Sequence, residues 1–521
     1  MKIKYFLMAV AALAVTACAE KQEAAPESNP EAGFTSEKSY LAINLKSADD
    51  VTRAEEFEAG TEDEQAISKV TFYFFDEAGN EFNVSSNGNY IFIDNIENND
   101  EVGTANIESM TDPVAVIEEY NGQLPAKVVA VVNYEGTTSL SLADLKEDLT
   151  TVGHTNKKEF IMTNAVYFNE ASNEVVDATP LTIENFQTDR SEALKNPVTI
   201  YVERVTAKVN VEAPITKFDV ACFDTGIEFD SGKNIFARID GWDLIGTQEE
   251  SYFVKSIDET WTEDYLGFAW NNPTYHRSYW TGLTVEDTVE TTFAYSKLTN
   301  NNDSVEYIGE QVNANAAERT KYIVAATLCI EGATTYESIE VAQWYGTLFI
   351  NGEAGLLAAV APTLKNKLLQ KEGSVYTAID DSQLKCVAGS DDVASYEVVF
   401  QLADGVDTTN WYSFDGASYT HVTNPNEVLA AIEPAKVWKD GRAYYFADIK
   451  HLGDEGKDGE FGIVRNHSYQ ITIKGVKGLG TPVYDPESYV EPVKPIDKDT
   501  YISAEINVLS WRVVSENVTL E

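Results

Sequence analysis

Five histidines, four cysteines and 85 carboxylates are the residues of this chain that could carry catalysis or hold a metal. A zinc site needs ligands at short, regular spacings. His154, His276, His421, His451 and His467 show none, and no H-E-x-x-H occurs. There is no G-x-S-x-G elbow and no phosphate-binding glycine loop. No cysteine sits in a C-x-x-C pair, and Cys222, Cys329 and Cys386, widely spaced, read as buried thiols. Asp454, Asp458 and Gly459 imitate the start of a calcium loop, but Arg465 stands at the twelfth position, where a bidentate glutamate is required. That stretch reads as a solvated hairpin loop. Among 85 carboxylates some close pairs arise by chance, so composition implies no glycosidase pair. Trp242, Trp261, Trp280 and Trp344 could line a sugar site, although core packing is the commoner fate of such rings. The expectation is a protein with no catalytic residues, no metal and no cofactor.

Composition narrows the partners. The chain has 521 residues and a formal net charge of -47. That length predicts more than one domain. At 43% apolar residues it is too hydrophobic for a disordered chain. A protein that neutralises phosphates needs a basic face, so nucleic acid is excluded as a partner, and anionic lipid is disfavoured for the same reason. Lys2 and Lys4 precede an apolar run, Tyr5 to Ala17, too short to span a bilayer. The run ends in Val15-Thr16-Ala17-Cys18, which resembles a bacterial lipobox, with Cys18 as the acylated residue. The other reading is an ordinary signal peptide with an incidental cysteine. Ala19 to Ser36, rich in Glu, Ala, Pro and Ser, reads as a flexible tether.

The elements that follow are those of a β protein. Val70 to Phe75 is β-branched and aromatic and stops at the turn cluster Asp76 to Asn80. Lys127 to Asn133 suits a strand buried on both faces. Pro197 to Ala213 alternates, and further strands are expected at Lys321 to Ile330, Ser395 to Leu402, Arg442 to Ile449 and Tyr469 to Val476. Helices are expected at Leu142 to Leu149, Pro362 to Gln370 and Asn426 to Ile432. Short strands between turn signals point to β-sandwiches. The Ala213-Pro214 step is the expected domain boundary.

Both termini carry strands that a plain sandwich does not explain. Tyr40 to Lys46 alternates, with Leu41, Ile43 and Leu45 on one face. An acidic, turn-rich stretch follows, in which Arg53 is the only basic residue between Lys46 and Lys69. Cleavage between Arg53 and Ala54 by a trypsin-like, Arg-specific protease would free that strand and leave a groove. At the other end, Thr481 to Asp499 holds four of the chain's 15 prolines and reads as a semi-rigid spacer. Fifteen such residues at about 3.1 Å each reach roughly 45 Å. Beyond it Ile502, Ala504, Ile506 and Val508 share one face, then Leu509, Trp511 and Val513 take over the phase. That change predicts two short strands or a bulge. A detached apolar strand needs an acceptor; a groove on the next copy gives open, head-to-tail assembly.

Several stretches match known sequences. They are Phe160 to Asn164, Tyr201 to Val209, Gly241 to Leu244, His276 to Trp280, and Gly462 to Tyr469 followed by Gly478 to Pro482. On these the chain resembles the Bacteroidales fimbrillins, and among them the stalk subunits. The resemblance implies an all-β fold of two tandem transthyretin-like sandwich domains with a few short helices. The expected division is a signal peptide and lipobox (1–18), tether and removable strand (19–53), N-terminal domain (54–213), C-terminal domain (214–480), and spacer with donor strand (481–521). It also implies an outer-membrane lipoprotein precursor, with membrane contact only through a transient lipid anchor. The mature product would be a cell-surface fimbrial subunit that polymerises by donor-strand exchange and serves adhesion and biofilm formation. By position Cys18 is the lipidation site, Arg53-Ala54 the processing site and Ile502 to Leu520 the donor. The implied partners are further copies of the chain, related anchor and tip subunits, the maturation protease, and host or bacterial surface receptors. The alternatives are an anchor or tip subunit, or a glycan-binding surface lipoprotein that keeps its acylated Cys18.

Overall fold

A computed structural model describes residues 39–45 and much of 57–511, the longest gaps being 97–113, 220–234, 256–293, 452–459 and 491–500. The amino-terminal part contains β1 (Ser39–Leu45), β2 (Phe57–Glu58), α1 (Glu62–Gln65), β3 (Val70–Phe75), β4 (Tyr90–Ile93), β5 (Val114–Ile117), β6 (Lys127–Val132) and α2 (Leu142–Glu147). It continues with β7 (Met162–Asn164), β8 (Val198–Ile200) and β9 (Val202–Arg204). One sheet runs in the order β9-β7-β6-β3-β4, and a second in the order β8-β1-β5. They face each other across a core that includes Val70, Phe72 and Phe74 from β3, Val128, Ala130 and Val132 from β6, and Ala115, Ile117, Val198 and Ile200 from the second sheet. The opposite face of β3 and β6, through Tyr73, Phe75, Val129 and Val131, is covered by Leu142 and Leu145 of α2 and by Phe253 and Val254. Unbroken apolar runs form these central strands because both of their faces are buried.

The second sandwich is built from β10 (Thr206–Glu212), β11 (Ile235–Ile245), β12 (Glu306–Gly309), β13 (Lys321–Glu331), β14 (Arg442–Asp448), β15 (His467–Lys477), β16 (Thr481–Pro482) and β17 (Tyr501–Trp511). One sheet orders β12-β10-β15-β17-β2, and the other contains β11-β13-β14-β16. Val209, Val211, Trp242, Tyr322, Val324, Tyr445, Tyr469 and Ile471 are among the residues that fill the space between them. At Gly241 a Cβ would stand 2.3 Å from the Leu298 carbonyl oxygen, so the loop closing this side requires glycine. Residues 341–438 form an inserted layer with its own core, which gathers Leu356 and Val360 of α3 (Gly352–Val360), Trp411, and Leu429 of α4 (Pro425–Ala430).

The fold is all-β with a few short helices, as the sequence predicts, and four expectations change. Sheet membership switches at Val205 rather than after Ala213: β10 pairs in parallel with β15, Lys208 opposite Ser468 through Glu212 opposite Thr472. The helix expected at Pro362 to Gln370 lies ten residues earlier. Pro362 sits in the 3-10 turn (Ala361–Leu364) that ends α3, and Gln370 is in a strand. The first part of the expected spacer is bound to the body: Val483 and Val490 are buried with Ile245, Ile323 and Tyr444. Finally, β17 is not detached. Burying its backbone edge satisfies hydrogen bonds that a free strand would leave to solvent.

Candidate strand-exchange groove

β1 is the middle strand of its sheet. On one side it runs parallel to β8, with Ile43 opposite Val198 and Leu45 opposite Ile200. On the other it runs antiparallel to β5, with Ser39 opposite Ile117 and Leu41 opposite Ala115. Ala115, Ile117 and Ile200 have no exposed surface, and Val198 only 5%. A central strand satisfies backbone groups on both neighbours. Withdrawing β1 would therefore open a slot of seven residues, about 23 Å long, edged by β5 along Ser39–Ala42 and by β8 along Ile43–Leu45, over an apolar floor. Seven alternating residues make a strand of either kind. Only the folded chain assigns this one to the centre of a sheet, between segments some 70 and 155 residues further along.

β17 is an eleven-residue strand. It pairs antiparallel with β15, placing Ile502, Ala504, Ile506 and Val508 opposite Val476, Ile473, Ile471 and Tyr469, four residues of the second core. Leu509 stands opposite Ser468, and Trp511 opposite Glu58 of β2. The register irregularity falls between Ile473 and Gly475 of β15, so β17 runs without a break at Val508-Leu509. The extra residue on the partner strand, Lys474, absorbs the mismatch and brings Val476 into register with Ile502. Cys18, Arg53, Ala54 and Val513 lie outside the described residues.

Between the two sandwiches lies a buried polar joint. Glu64 of α1 pairs with Lys208 of β10 at 3.2 Å and accepts from the Tyr307 hydroxyl. Arg204 donates through Nε to the Glu64 carbonyl at 2.9 Å and through a terminal nitrogen to Asn466 at 3.3 Å. Thr61 caps α1 in a reciprocal box with Glu64. Burial works against ionised Glu64, but the Tyr307 hydrogen bond and the Lys208 charge outweigh it and hold the carboxyl below its ordinary range. Arg465, fully buried, donates to Glu310 at 2.9 Å, to the Phe253 carbonyl at 3.1 Å and to the Tyr252 carbonyl at 2.7 Å. Lys255 pairs with Glu203 of β9 at 2.9 Å. In the sequence these charges look like surface. Arg465, the wrong residue for the twelfth position of a calcium loop, is here the donor that ties Glu310 to the Tyr252 and Phe253 carbonyls.

Among the described residues no group of three or more His, Cys, Asp or Glu gathers into a metal site. Cys329 and Cys386 are buried free thiols, and burial pushes the Cys386 thiol up. Of the tryptophans proposed for a sugar site, Trp242 is 2% exposed and donates its indole N–H to the Asn301 carbonyl. It borders a cavity of about 420 Å³ that Val211, Ile239, Asn300 and Asp303 also line. Trp344 packs against Tyr345 and Phe400.

Residues 436–517 match the family described as Major fimbrial subunit protein type IV, Fimbrillin, C-terminal. No curated protein matches the chain. Among solved structures, the chain is similar to a candidate cell adhesion protein from Bacteroides eggerthii at 12% identity, with 92% of this chain and 98% of that one covered and a TM-score of 0.39. It is similar to a fimbrilin from Porphyromonas gingivalis at 13% identity, with coverage of 92% and 98% and a TM-score of 0.35. It is also similar to the tip fimbrial protein of Porphyromonas gingivalis at 11% identity, with coverage of 91% and 100% and a TM-score of 0.32. These superpositions are loose, so the assignment rests on the matched segment. That segment, which holds β14, β15, β16 and β17, is the part of the chain that is similar to the fimbrillin family.

Proposed function

We propose that the chain is a structural subunit of a cell-surface fimbria, exported as a lipoprotein through Cys18, cut between Arg53 and Ala54, and polymerised when β17 of one copy fills the slot that β1 vacates in the next. The observation that carries this reading is the position of β1: it is central, paired on both edges, and joined to the rest of the chain only through the stretch containing Arg53. A cut there would leave β1 without its covalent link to the body, and its pairing with β8 and β5 would remain. Glu64, anchored across the joint eleven residues beyond Arg53, keeps the new amino terminus attached to the body.

In the single chain β17 is paired along its length on β15, but on its other edge only at Ser510 and Trp511, by β2. In a vacated slot both edges would find partners. There the incoming strand would pair as β1 does, with β5 over one half of the slot and with β8 over the other, and eleven residues are available for the seven-residue gap. The order of pairing makes the assembly directional and open-ended.

The experiment is to determine the amino terminus of protein taken from surface fibres. A chain beginning at Ala54 is expected. A retained, acylated Cys18 on the assembled protein would overturn the reading and favour a tethered binder.

A further inference from the structure

The joint between the sandwiches contains a pair whose geometry suits more than an ion pair. Glu203 lies on β9, the last strand of the first sandwich. Lys255 lies on the segment that leaves the second sandwich after β11 and crosses to the first, where residues 250–252 pair with 149–151 and the Thr163 hydroxyl donates to the Phe253 carbonyl at 2.5 Å. The Lys255 side chain has no exposed surface and that of Glu203 has 1%; Nζ stands 2.9 Å from Oε1. Glu310, itself 2% exposed, accepts from Arg465 and from the Ser251 hydroxyl, and its charge acts on both members of the pair.

We propose that Lys255 and Glu203 condense in the folded protein to an amide between Nζ and Cδ, a covalent tie across the joint. Desolvating two ions costs more than their attraction returns unless every remaining donor and acceptor is satisfied, whereas an amide buries no charge. Burial drives both partners toward the reactive forms: it pushes the Glu203 carboxyl up, toward the protonated acid, and the Lys255 ammonium down, toward the free amine. The amine adds to Cδ, the bond from Cδ to the acid's hydroxyl oxygen breaks, and the proton leaving Nζ passes to that oxygen. One water is released, and no oxidant or reductant takes part. Fixing the two groups in contact replaces a bimolecular encounter, an advantage on the order of 10⁵ M or more in effective concentration for well-aligned groups. A filament subunit is pulled through its two ends, and this amide would lie between them.

The test is tryptic peptide mapping of the denatured full-length chain, which needs neither processing nor assembly. The amide blocks cleavage after Lys255 and joins residues 196–204 to residues 239–277. The expected product is a branched peptide with the summed mass of the two less one water, absent from the Lys255→Met variant. Recovery of residues 196–204 as a linear peptide, together with full cleavage after Lys255, would overturn the proposal and leave an ion pair only. The wild-type digest decides the matter even if the variant fails to fold.

Discussion

Replacing Glu64 by glutamine tests whether the joint is held by charge. The amide side chain keeps the size of glutamate and can still take the capping-box role opposite Thr61. It cannot supply the negative charge that faces Lys208 at 3.2 Å. Both groups are dry, Glu64 at 1% and the Lys208 side chain at 8% exposure. Removing one partner of such a pair costs about 3–5 kcal/mol, because the other charge stays buried. Replacing Lys208 by methionine in the same chain should recover much of that loss. The assay is urea unfolding followed by tryptophan fluorescence at pH 7, for wild type, Glu64→Gln and Glu64→Gln/Lys208→Met. The pH dependence provides a second reading. The folded-state pKa of Glu64 is depressed. Its contribution is therefore present above the unfolded-state pKa and disappears as pH falls through the folded value. The gap between wild type and Glu64→Gln should accordingly close in acid. If Glu64→Gln is within about 0.5 kcal/mol of wild type at pH 7, or the gap widens in acid, the joint is not held by this ion pair.

Deleting residues 501–521 should give folded monomers that never extend a fibre, scored by electron microscopy, because the slot would have no strand to receive; long fibres would refute this. Arg53→Ala should leave an uncleaved monomeric precursor with β1 still between β8 and β5, visible as a larger band and an absence of polymer. Gly441→Ala should lower the melting temperature, at a cost of about 2 kcal/mol or more. Its φ is +80°, and a Cβ there would stand 2.6 Å from the Leu328 carbonyl oxygen; an unchanged melting curve would show that this turn adapts.

The local elements were legible because their physics is local. Val70 to Phe75 and Lys127 to Val132 are strands buried on both faces, and unbroken β-branched and aromatic runs of that length declare as much. The helix near residue 360 was misplaced for a local reason too. Pro362 reads as a first-turn proline, and the glycines at 352 and 355 read as breakers. The burial of Leu356, Leu357 and Val360 in the inserted layer outweighs the cost of those glycines. What no window of sequence could contain is pairing over long separations. That β1 lies beside β8, or β10 beside β15, is settled by which edges remain free once everything else has packed. The joint is the sharpest case. Glu64, Glu203, Lys255, Glu310 and Arg465 are drawn from five distant segments of a chain with a net charge of -47, where any one charge is expected to face water. Composition determined that this protein would be acidic, and its alternating and unbroken apolar runs determined that it would be β-rich. Only the closing of two sandwiches onto one another removed water from those five side chains, and that removal turned ordinary surface charges into a buried network.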